Sequence, residues 1–522
     1  MVLPVVFKEG PKDTRFVLSS DVYDMVVSKD HLLYRINEEI DFSFVNKECK
    51  DLYTPNIGRN VTNYPEIMFK AEIIQYMYCL SERQLKAQSS ENLVFRWFLG
   101  YELDDEIFHF TAPGKFRNAL GEMRHRKLFN HILNQFKNKG LLNEFEDQSM
   151  DATHIISDIA IPTTIALIKQ AIIAVLKSSE IDGPVNREYY LGKEDKKEFR
   201  MSEKEKRITL KRVVIDAKSL VDYFNYTDIE KGSETSKSIE QLKSILQDYI
   251  EDVETEDSTE PKERKKKGKD RTVSLVDKDA RWGAKSDKKI FLGYKAHTSQ
   301  TDRQIITDIK VTPGNVGDDR ELQANLLRQK KKGLTPKKMR GDGIYGTIDN
   351  RKISKEMGTN LIAPPRTSHN KRYLFPKDEF DYSEELKRVI CPAGQTTEKH
   401  YWNKNVKSWI YLFDKETCGH CTLKERCTKN KFRTVAFKKD YHIQQEAVRY
   451  SKTPEYKEDM KIRSHIEPKQ AEMKRFHGLK RAYYRGLEKV NVQAIYTALV
   501  INLKRMVTLQ ASDSHGKIHN VA

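Results

Sequence analysis

Three acidic residues that lie far apart in the chain have the types and surroundings expected of a shared metal site. Asp151 lies in the predicted strand "QSMDATHIIS", Asp342 follows the short predicted strand of "PKKMRGDGIYG", and Glu467 belongs to the later helical stretch "HIEPKQAEM". Carboxylate oxygens are the ligands that Mg²⁺ prefers, and two such ions about 4 Å apart activate a water or a 3′-hydroxyl for phosphodiester transfer. Because the chain has 76 acidic residues, this triad needs support from its neighbours.

The residues around Glu467 provide some of that support. Pro468 follows it directly, and proline disfavours helical geometry in the residue before it. On an ideal helix, Arg463, Glu467 and Lys474 fall within a stripe about 40° wide, so one carboxylate is flanked by two cations that suit phosphates. The alternative is a solvated helix face with charge pairs four residues apart, beside a surface kink.

A second candidate metal site is a cluster of four cysteines. Cys391 opens the sequence "CPAG", and Cys418, Cys421 and Cys427 follow in "CGHCTLKERC". Thiolates at Cys-x2-Cys spacing bind one tetrahedral Zn²⁺, and the neighbouring glycine and proline residues permit tight turns. The spacing therefore predicts a structural zinc. The alternative is four reduced cysteines that pack inside this region.

The order of the predicted elements divides the chain into four regions. Residues 1–140 carry apolar residues at three-and-four spacing, which predicts a helical domain, and residues 141–365 contain predicted strands and helices in turn. Residues 366–450 form a cysteine-rich insertion with strands, and residues 451–522 are helical again. Antiparallel strand pairs followed by strand–helix alternation predict an α/β fold with helices flanking a mixed sheet. We expect both aspartates at or near strand ends.

A charged stretch at about residues 181–271 interrupts the sheet region. Near its end the acidic sequence "DYIEDVETEDSTE" is followed at once by the basic sequence "PKERKKKGKDR". Adjacent blocks of opposite charge with few apolar residues predict a solvated, flexible insertion. The basic block is a candidate DNA contact, with a mobile linker as the alternative.

The composition narrows the class of partner and the compartment. The chain has 522 residues and a formal net charge of +17, which favours a polyanion such as nucleic acid. We expect no membrane anchor, because the N-terminal sequence lacks the pattern of a signal peptide. The apolar stretch 159–176 contains Pro162, Lys169 and Gln170 and so predicts a buried helix. Six cysteines are too few for a disulfide framework, which favours a reducing cytoplasm.

Several stretches resemble one family, in the family's order. The spacing Arg463-x3-Glu467-x6-Lys474 and the block "IEPKQAEMKRFHGLKRAYYRG" resemble the Tyr-Arg-Glu-Lys signature of bacterial DDE-type insertion-sequence transposases. "MDATHI" and "RGDGIYG" resemble the two aspartate motifs, and "LSERQLKAQSSENLVFRWFLGYELDD" is similar to the helical N-terminal domain of that family. The tyrosine of the signature falls at Met460 here, and Tyr456, one turn earlier, is a candidate substitute.

The resemblance implies a metal-dependent DNA transposase. It implies an RNase H-like core in which Asp151, Asp342 and Glu467 bind Mg²⁺ or Mn²⁺, while Arg463 and Lys474 bind phosphates. The implied reaction is nicking at the ends of a transposon, followed by transfer of the freed 3′-hydroxyl into target DNA. It also implies a helical N-terminal DNA-binding domain, and a homodimer that bridges two terminal inverted repeats of double-stranded DNA at the nucleoid of a bacterial cytoplasm.

Two further assignments follow from the resemblance. Many related transposases carry a β-rich subdomain at the place of the cysteine-rich insertion, where an aromatic residue can capture a base flipped out during DNA hairpin formation. Trp402 and Trp409 are the candidates here, with buried core tryptophans as the alternative. Asp279, in "DKDARW", is the main rival acid for the triad, although a turn or an ion pair suits it better.

Two other functions fit parts of the sequence. A metal-dependent nuclease without strand transfer would share the triad and would cut end-containing DNA without joining it. A zinc-containing, non-catalytic DNA-binding protein would need only the basic surface, and the presence of all three acids argues against it.

Overall fold

The computed structural model describes most of the chain: residues 5–6, 17–52, 59–60, 63–179, 183–192, 201–227, 229–254, 259–286, 289–365 and 374–519. Two sequence-based predictions touch residues outside these ranges. They are the absence of a signal peptide, which rests largely on residues 1–16, and the boundary between the sheet region and the cysteine-rich insertion, which falls at residues 366–373.

Helices and short strands account for most of the described residues. The helices are α1 (Val17–Val26), α2 (Leu32–Glu39), α3 (Phe44–Cys49), α4 (Pro65–Met77), α5 (Glu82–Glu91), α6 (Leu93–Leu99), α7 (Ala112–Asn138), α8 (Thr164–Ser178), α9 (Arg187–Leu191), α10 (Glu203–Asn225), α11 (Glu234–Tyr249), α12 (Glu321–Lys331), α13 (Ile348–Glu356), α14 (Lys415–Gly419), α15 (Lys424–Cys427), α16 (Tyr441–Tyr450), α17 (Pro454–Arg463), α18 (Ile466–Phe476) and α19 (Leu487–His519). The strands are β1 (Val5–Val6), β2 (Arg59–Asn60), β3 (Gln148–Ile156), β4 (Ile250–Glu254), β5 (Thr259–Glu263), β6 (Arg281–Ser286), β7 (Lys289–Thr301), β8 (Ile306–Pro313), β9 (Lys338–Arg340), β10 (Asn360–Ile362), β11 (Asp381–Ser383), β12 (Arg388–Ile390), β13 (Thr396–Thr397), β14 (His400–Asn403), β15 (Ser408–Leu412) and β16 (Thr434–Phe437).

The N-terminal region is helical, as its apolar spacing predicts. On α7, Leu128, Ile132 and Phe136 recur every four residues and are almost fully buried. At the start of α5, Ser81 and Gln84 each accept a hydrogen bond from the other's backbone amide, which satisfies donors that a helix start leaves unpaired. The start of α5 is therefore set by local sequence. The buried residues of helices α1 to α7 contribute to one shared apolar core, which stabilises them.

A six-stranded mixed sheet forms the centre of the molecule. The sheet runs β10-β9-β3-β7-β6, and β8 pairs with β7. β10, β9 and β3 are parallel, whereas β7 is antiparallel to β3, β6 and β8. Three antiparallel strands, β3, β7 and β8, followed by two parallel strands separated by a helix, form an RNase H-like sheet, so the predicted fold class is confirmed. Most of β7 and β8 is buried, which is why their sequences are largely apolar or uncharged.

The long helix α19 covers the outer strand of this sheet. The Asn491 side chain accepts a hydrogen bond from the Val311 amide at 2.8 Å, and Asn502 accepts one from the Ile306 amide at 2.7 Å. Both asparagines also donate to the carbonyls of the same two residues. These contacts satisfy backbone groups that an edge strand leaves unpaired. α19 also packs on α4 and α7, so the N-terminal helices and the sheet share one apolar core.

The stretch between β3 and β6 folds into a helical unit, so the prediction of a flexible insertion was wrong for the described residues. α8 to α11 enclose a separate core in which Val213, Leu220, Leu242 and Ile245 are almost fully buried. These residues have helical spacing, but charged residues dominate between them, so the composition alone resembled a solvated segment. α8 buries one face in this core. Among the described residues, no helix has the length and apolar character needed to cross a membrane.

The cysteine-rich insertion has its own small core. β11, β12 and β13 form one antiparallel sheet, and β14, β15 and β16 form another. Aromatic residues such as Tyr382 and Phe437, whose rings stack 4.4 Å apart, fill the space between them. The chain then returns to the central sheet through α16, α17 and α18, which brings Glu467 back to the elements that carry the two aspartates.

Candidate active site

All three predicted acids line one open cleft with a volume of about 630 Å³. Asp151 comes from β3, Asp342 from the turn after β9, and Glu467 from α18, so three separate parts of the chain meet there. The two predicted phosphate-binding residues, Arg463 and Lys474, line the same cleft.

Asp151 lies inside β3, as its fourth residue, and not at the end of the strand as predicted. Its carboxylate accepts one hydrogen bond from the Ala152 amide at 2.8 Å and one from Arg463 Nη2 at 3.1 Å. Burial raises the pKa of Asp151 to about 6, against the lowering effect of Arg463, and the negative charges of Asp342 and Glu467 add to the rise. The cleft therefore concentrates negative charge around a buried carboxyl group.

Asp342 lies two residues after β9, at a strand end as predicted. Its carboxylate accepts a hydrogen bond from the Ile344 amide at 2.8 Å, which holds the turn "GDGI" in shape. The preceding residue, Gly341, lies against the ring of Tyr345. A Cβ added to Gly341 would approach that ring to 2.8 Å. A glycine at position 341 therefore lets the strand end beside a buried aromatic residue.

Glu467 lies in the first turn of α18, and α17 ends at Arg463, so the predicted continuous helix is broken at Ser464 and His465. Pro468 falls in this first turn, where a missing backbone N–H costs no helical hydrogen bond. Arg463 Nη1 still donates to Glu467 Oε1 at 2.9 Å. Arg463 thus bridges Glu467 and Asp151, while Glu467 remains largely exposed.

Lys474 lies on the cleft side of α18. Its Nζ is 3.3 Å from His154 Nδ1, and the His154 ring packs against Phe291 at 5.2 Å between centroids. The lysine side chain therefore points toward β3, where it meets His154, three residues after Asp151.

The rival acid and the candidate tyrosine lie elsewhere. Asp279 accepts a hydrogen bond from the Leu487 amide at 2.8 Å, which fastens the start of α19. Tyr456 packs edge-to-face on Tyr450, with ring centroids 5.9 Å apart. Asp279, Tyr456 and Met460 do not line the cleft.

The four clustered cysteines line a single cavity of about 60 Å³ in the insertion. All four are free thiols and are partly buried. Burial raises the pKa of Cys427, and the nearby Cys391, Cys418 and Cys421 raise it further. Across the described residues, no group of three or more histidine, cysteine, aspartate or glutamate side chains stands in an arrangement that would hold a metal ion.

Trp402 and Trp409 face each other across the β14–β15 hairpin. They are directly paired in register, and their rings meet edge-to-face at 5.2 Å. Trp402 is 39% exposed, whereas Trp409 packs partly against the core of the insertion. Neither tryptophan lines the cleft that holds the three acids.

Two protein-family models match the chain. Residues 390–507 match the model described as a transposase DDE domain, and residues 21–119 match the model described as a transposase domain (DUF772). Both matches support an insertion-sequence transposase of the DDE type. The resemblance to insertion-sequence transposases and the enzyme class, a polynucleotidyl transferase and endonuclease, are thereby confirmed. No curated protein and no solved structure matches the chain.

The transposase DDE family implies DNA binding and the use of a divalent metal ion. The DDE match includes Arg463, Glu467 and Lys474 but neither aspartate, so it leaves the assignment of the complete triad to the geometry of the cleft.

Sequence reasoning missed several residues that shape the active-site cleft of the transposase. Lys295 and Asp318 both line it, and Lys295 Nζ donates to Asp318 at 2.8 Å. Lys295 lies in the sequence "FLGYKAH" of β7, and a lysine inside a largely uncharged strand was the available signal. Farther back, Arg340 and Asp459 form a buried pair behind Asp342. No pattern in the sequence links those two residues, because 118 residues separate them.

Proposed function

We propose that this transposase cuts DNA at the ends of its mobile element and joins the freed 3′ ends to target DNA, with Asp151, Asp342 and Glu467 as the catalytic acids. One observation carries the proposal: the three acids, which are distant in sequence, line a single cleft of an RNase H-like sheet. The open cleft and the net charge of +17 suit a large polyanionic substrate.

By the chemistry of their donor atoms the acids of the cleft suit Mg²⁺ or Mn²⁺, although no three of the described acids are arranged here to hold an ion. Their donor atoms are carboxylate oxygens, which hard divalent cations prefer. The raised pKa of Asp151 reflects its burial beside two other acids. A cation bound there would favour the ionised form of this carboxyl group. When bound, a pair of such ions supplies activation of a water or 3′-hydroxyl and stabilisation of the leaving oxygen.

The chain's own residues supply the binding and orientation of the substrate. Asp151 and Asp342 are held by backbone amides, so their carboxylates keep fixed directions. Arg463 neutralises part of the charge of Asp151 and Glu467, and Lys474 extends positive charge along α18. Both cations suit the phosphates that flank the cut bond, because charge-assisted contacts to phosphate are strong and position the backbone.

The proposal extends to the assembly and its DNA. We propose a homodimer that holds two terminal inverted repeats of double-stranded DNA and a target duplex, working at the bacterial nucleoid in the cytoplasm. A dimer brings two element ends together, which joining both ends to one target requires.

The cysteine-rich insertion has two proposed roles. Cys391, Cys418, Cys421 and Cys427 bind a structural Zn²⁺, which is supported by their common cavity and by the affinity of Cys-x2-Cys thiolates for zinc. In the same insertion, Trp402 is the better candidate for stacking on a DNA base, because Trp409 contributes to the core.

The decisive experiment is an assay of cutting and joining on a duplex that carries the end of the element. With Mg²⁺, the unaltered chain should nick the DNA and join it to a target plasmid. Asp151→Asn, Asp342→Asn and Glu467→Gln should each abolish nicking while DNA binding remains. Asp158→Asn is a matched control, because Asp158 follows β3 but does not line the cleft. Near-normal nicking by Glu467→Gln contradicts the site. Nicking without joining would indicate a nuclease.

A further inference from the structure

The helical unit between β3 and β6 ends in a lysine segment, residues 262–269, that is held in a defined place. The Arg264 amide donates to the Tyr249 carbonyl at 2.8 Å, and Arg264 Nε donates to the Ile250 carbonyl at 2.9 Å. Lys267 lies over the Tyr249 ring, 4.9 Å from its centroid, and Arg271 Nη1 donates to the Gly268 carbonyl at 2.8 Å. The lysine segment is therefore fastened to α11, and the interpretation as a mobile linker does not describe it.

The lysine segment also contacts the turn that leads into the candidate active-site cleft. Asn315 Nδ2 donates to the Lys269 carbonyl at 3.3 Å and to the Asp270 carboxylate. Asn315 lies in the turn after β8, and Gly317 and Asp318 of the same turn line the cleft. The end of the segment thus lies beside the turn whose later residues line the cleft of the three acids.

The acidic and basic blocks that adjoin in the sequence have different partners in the structure. Two acids of the β4–β5 hairpin form ion pairs with α10: Asp252 pairs with Lys218 at 2.8 Å, and Glu260 pairs with Arg207 at 2.9 Å. The basic block keeps four exposed lysines, for which no ion pair exists among the described residues: Lys262, Lys265, Lys266 and Lys269. Asp252 and Glu260 are thus directed toward α10, whereas Glu251 lies opposite Lys262 in the register of the hairpin.

From this arrangement we infer that Lys262, Lys265, Lys266 and Lys269 bind the phosphate backbone of the DNA that lies in the catalytic cleft. Lysine is a flexible point charge that binds phosphates without reading bases, so the contact holds the duplex in place whatever its sequence. The inference rests on the proposed function in one respect: the proposed function places the cut bond of the DNA in this cleft.

The test compares two double variants of equal charge change. Lys265→Gln with Lys266→Gln removes two charges from the lysine segment. Lys231→Gln with Lys237→Gln removes two exposed charges from the other end of α11, about 20 Å away at 1.5 Å per helical residue. Binding is measured in the Asp342→Asn background without Mg²⁺, so that no cutting occurs. The probe is a labelled duplex of about 15 base pairs, or roughly 50 Å at 3.4 Å per pair, taken from the element's end.

We expect the variant of the lysine segment to bind roughly 10- to 100-fold more weakly at 0.1 M salt, with a salt slope smaller by about two, since each lost phosphate contact removes about 0.9. The control variant should keep the slope of the starting protein, and Lys265→Arg with Lys266→Arg should restore it. Equal slopes in all variants, or equal losses in both Gln variants, would overturn the inference. Because the assay needs no cutting, a failure of the proposed reaction would appear separately, as absent nicking by the unaltered chain in Mg²⁺.

Discussion

Arg340 and Asp459 form a buried ion pair that joins two elements of the proposed active site. Arg340 Nε donates to Asp459 Oδ1 at 2.8 Å, and the two side chains are 2% and 4% exposed. Arg340 ends β9, two residues before Asp342, while Asp459 lies on α17, the helix that ends at Arg463. Tyr450 and Lys338 also donate to Asp459. The cysteine-rich insertion separates β9 and α17 in the chain, and the ion pair holds these two elements together in the folded protein.

We expect Asp459→Asn to slow cutting by more than 10-fold without weakening DNA binding. Burial would raise the pKa of Asp459, but its hydrogen bonds from Arg340, Tyr450 and Lys338 hold that pKa below its usual value, so the folded state keeps an ionised carboxylate. The neutral amide leaves Arg340 with one partner fewer, at a cost of about 3 kcal/mol in unfolding free energy. Cutting is measured well below the melting temperature of the variant.

Glu458→Gln is the control for this prediction, because Glu458 is an exposed neighbour on the same helix. It should change neither cutting nor melting. Asp459→Lys tests the same pair by charge reversal and should prevent correct docking of α17. Unaltered cutting by folded Asp459→Asn protein would show that the pair has no positioning role.

Arg463→Gln and Lys474→Gln should each lower the rate of cutting by about 10- to 150-fold. A charge-assisted contact to phosphate contributes roughly 1.5–3 kcal/mol, and 1.4 kcal/mol corresponds to a factor of ten. The melting temperature of Lys474→Gln should move little, whereas Arg463→Gln removes the ion-pair partner of the largely buried Asp151 and should melt at a lower temperature, so rates are compared well below it. A cutting time course with melting curves checks this. Cutting rates equal to those of the unaltered chain would contradict the prediction and favour the alternative, a solvated helix face without a role in catalysis.

The cysteine cavity should contain about one Zn²⁺ per chain. Elemental analysis of freshly prepared protein measures this directly, and Cys418→Ser with Cys421→Ser should remove the metal and lower the melting temperature. Cys79→Ser is the control, since Cys79 is an exposed thiol outside the cavity. Freshly prepared protein that contains no zinc would contradict this prediction. The four cysteines would then be reduced residues that pack inside the insertion.

His297 should make the protein less stable as the pH falls below about 6.5. Burial lowers its pKa to about 3, and the charges of Lys295 and Arg328 add to this. The unfolded chain therefore binds a proton at this histidine in a range where the folded chain does not, so stability is lost as the pH falls from about 6.5 toward 3. The loss is about 2 kcal/mol at pH 5.

Urea unfolding at pH 7 and pH 5 measures this effect. His297→Gln, whose amide can still bond to the Thr312 hydroxyl, should lose about 2 kcal/mol less between the two pH values than the unaltered chain. His420→Gln, at an exposed histidine, should behave like the unaltered chain. An unchanged pH dependence in His297→Gln would assign the acid sensitivity to other groups.

The sequence by itself determined the local elements and selected the candidate acids. Apolar spacing predicted the helices of the first region, and alternation of strands and helices predicted the mixed sheet. The spacing around Glu467 and the two aspartate motifs selected Asp151, Asp342 and Glu467, because each motif is read from a few adjacent residues.

Only the tertiary structure decided which distant residues meet. Asn491 and Asn502 satisfy the edge of β8, and Asp459 pairs with Arg340, although neither contact follows from local spacing. The charged insertion was misjudged for a related reason: its core needs only a few apolar residues per helix, and their burial depends on how α8, α10 and α11 pack. Local sequence sets backbone preferences within a few residues, whereas burial and charge pairing depend on which surfaces meet when the chain is compact.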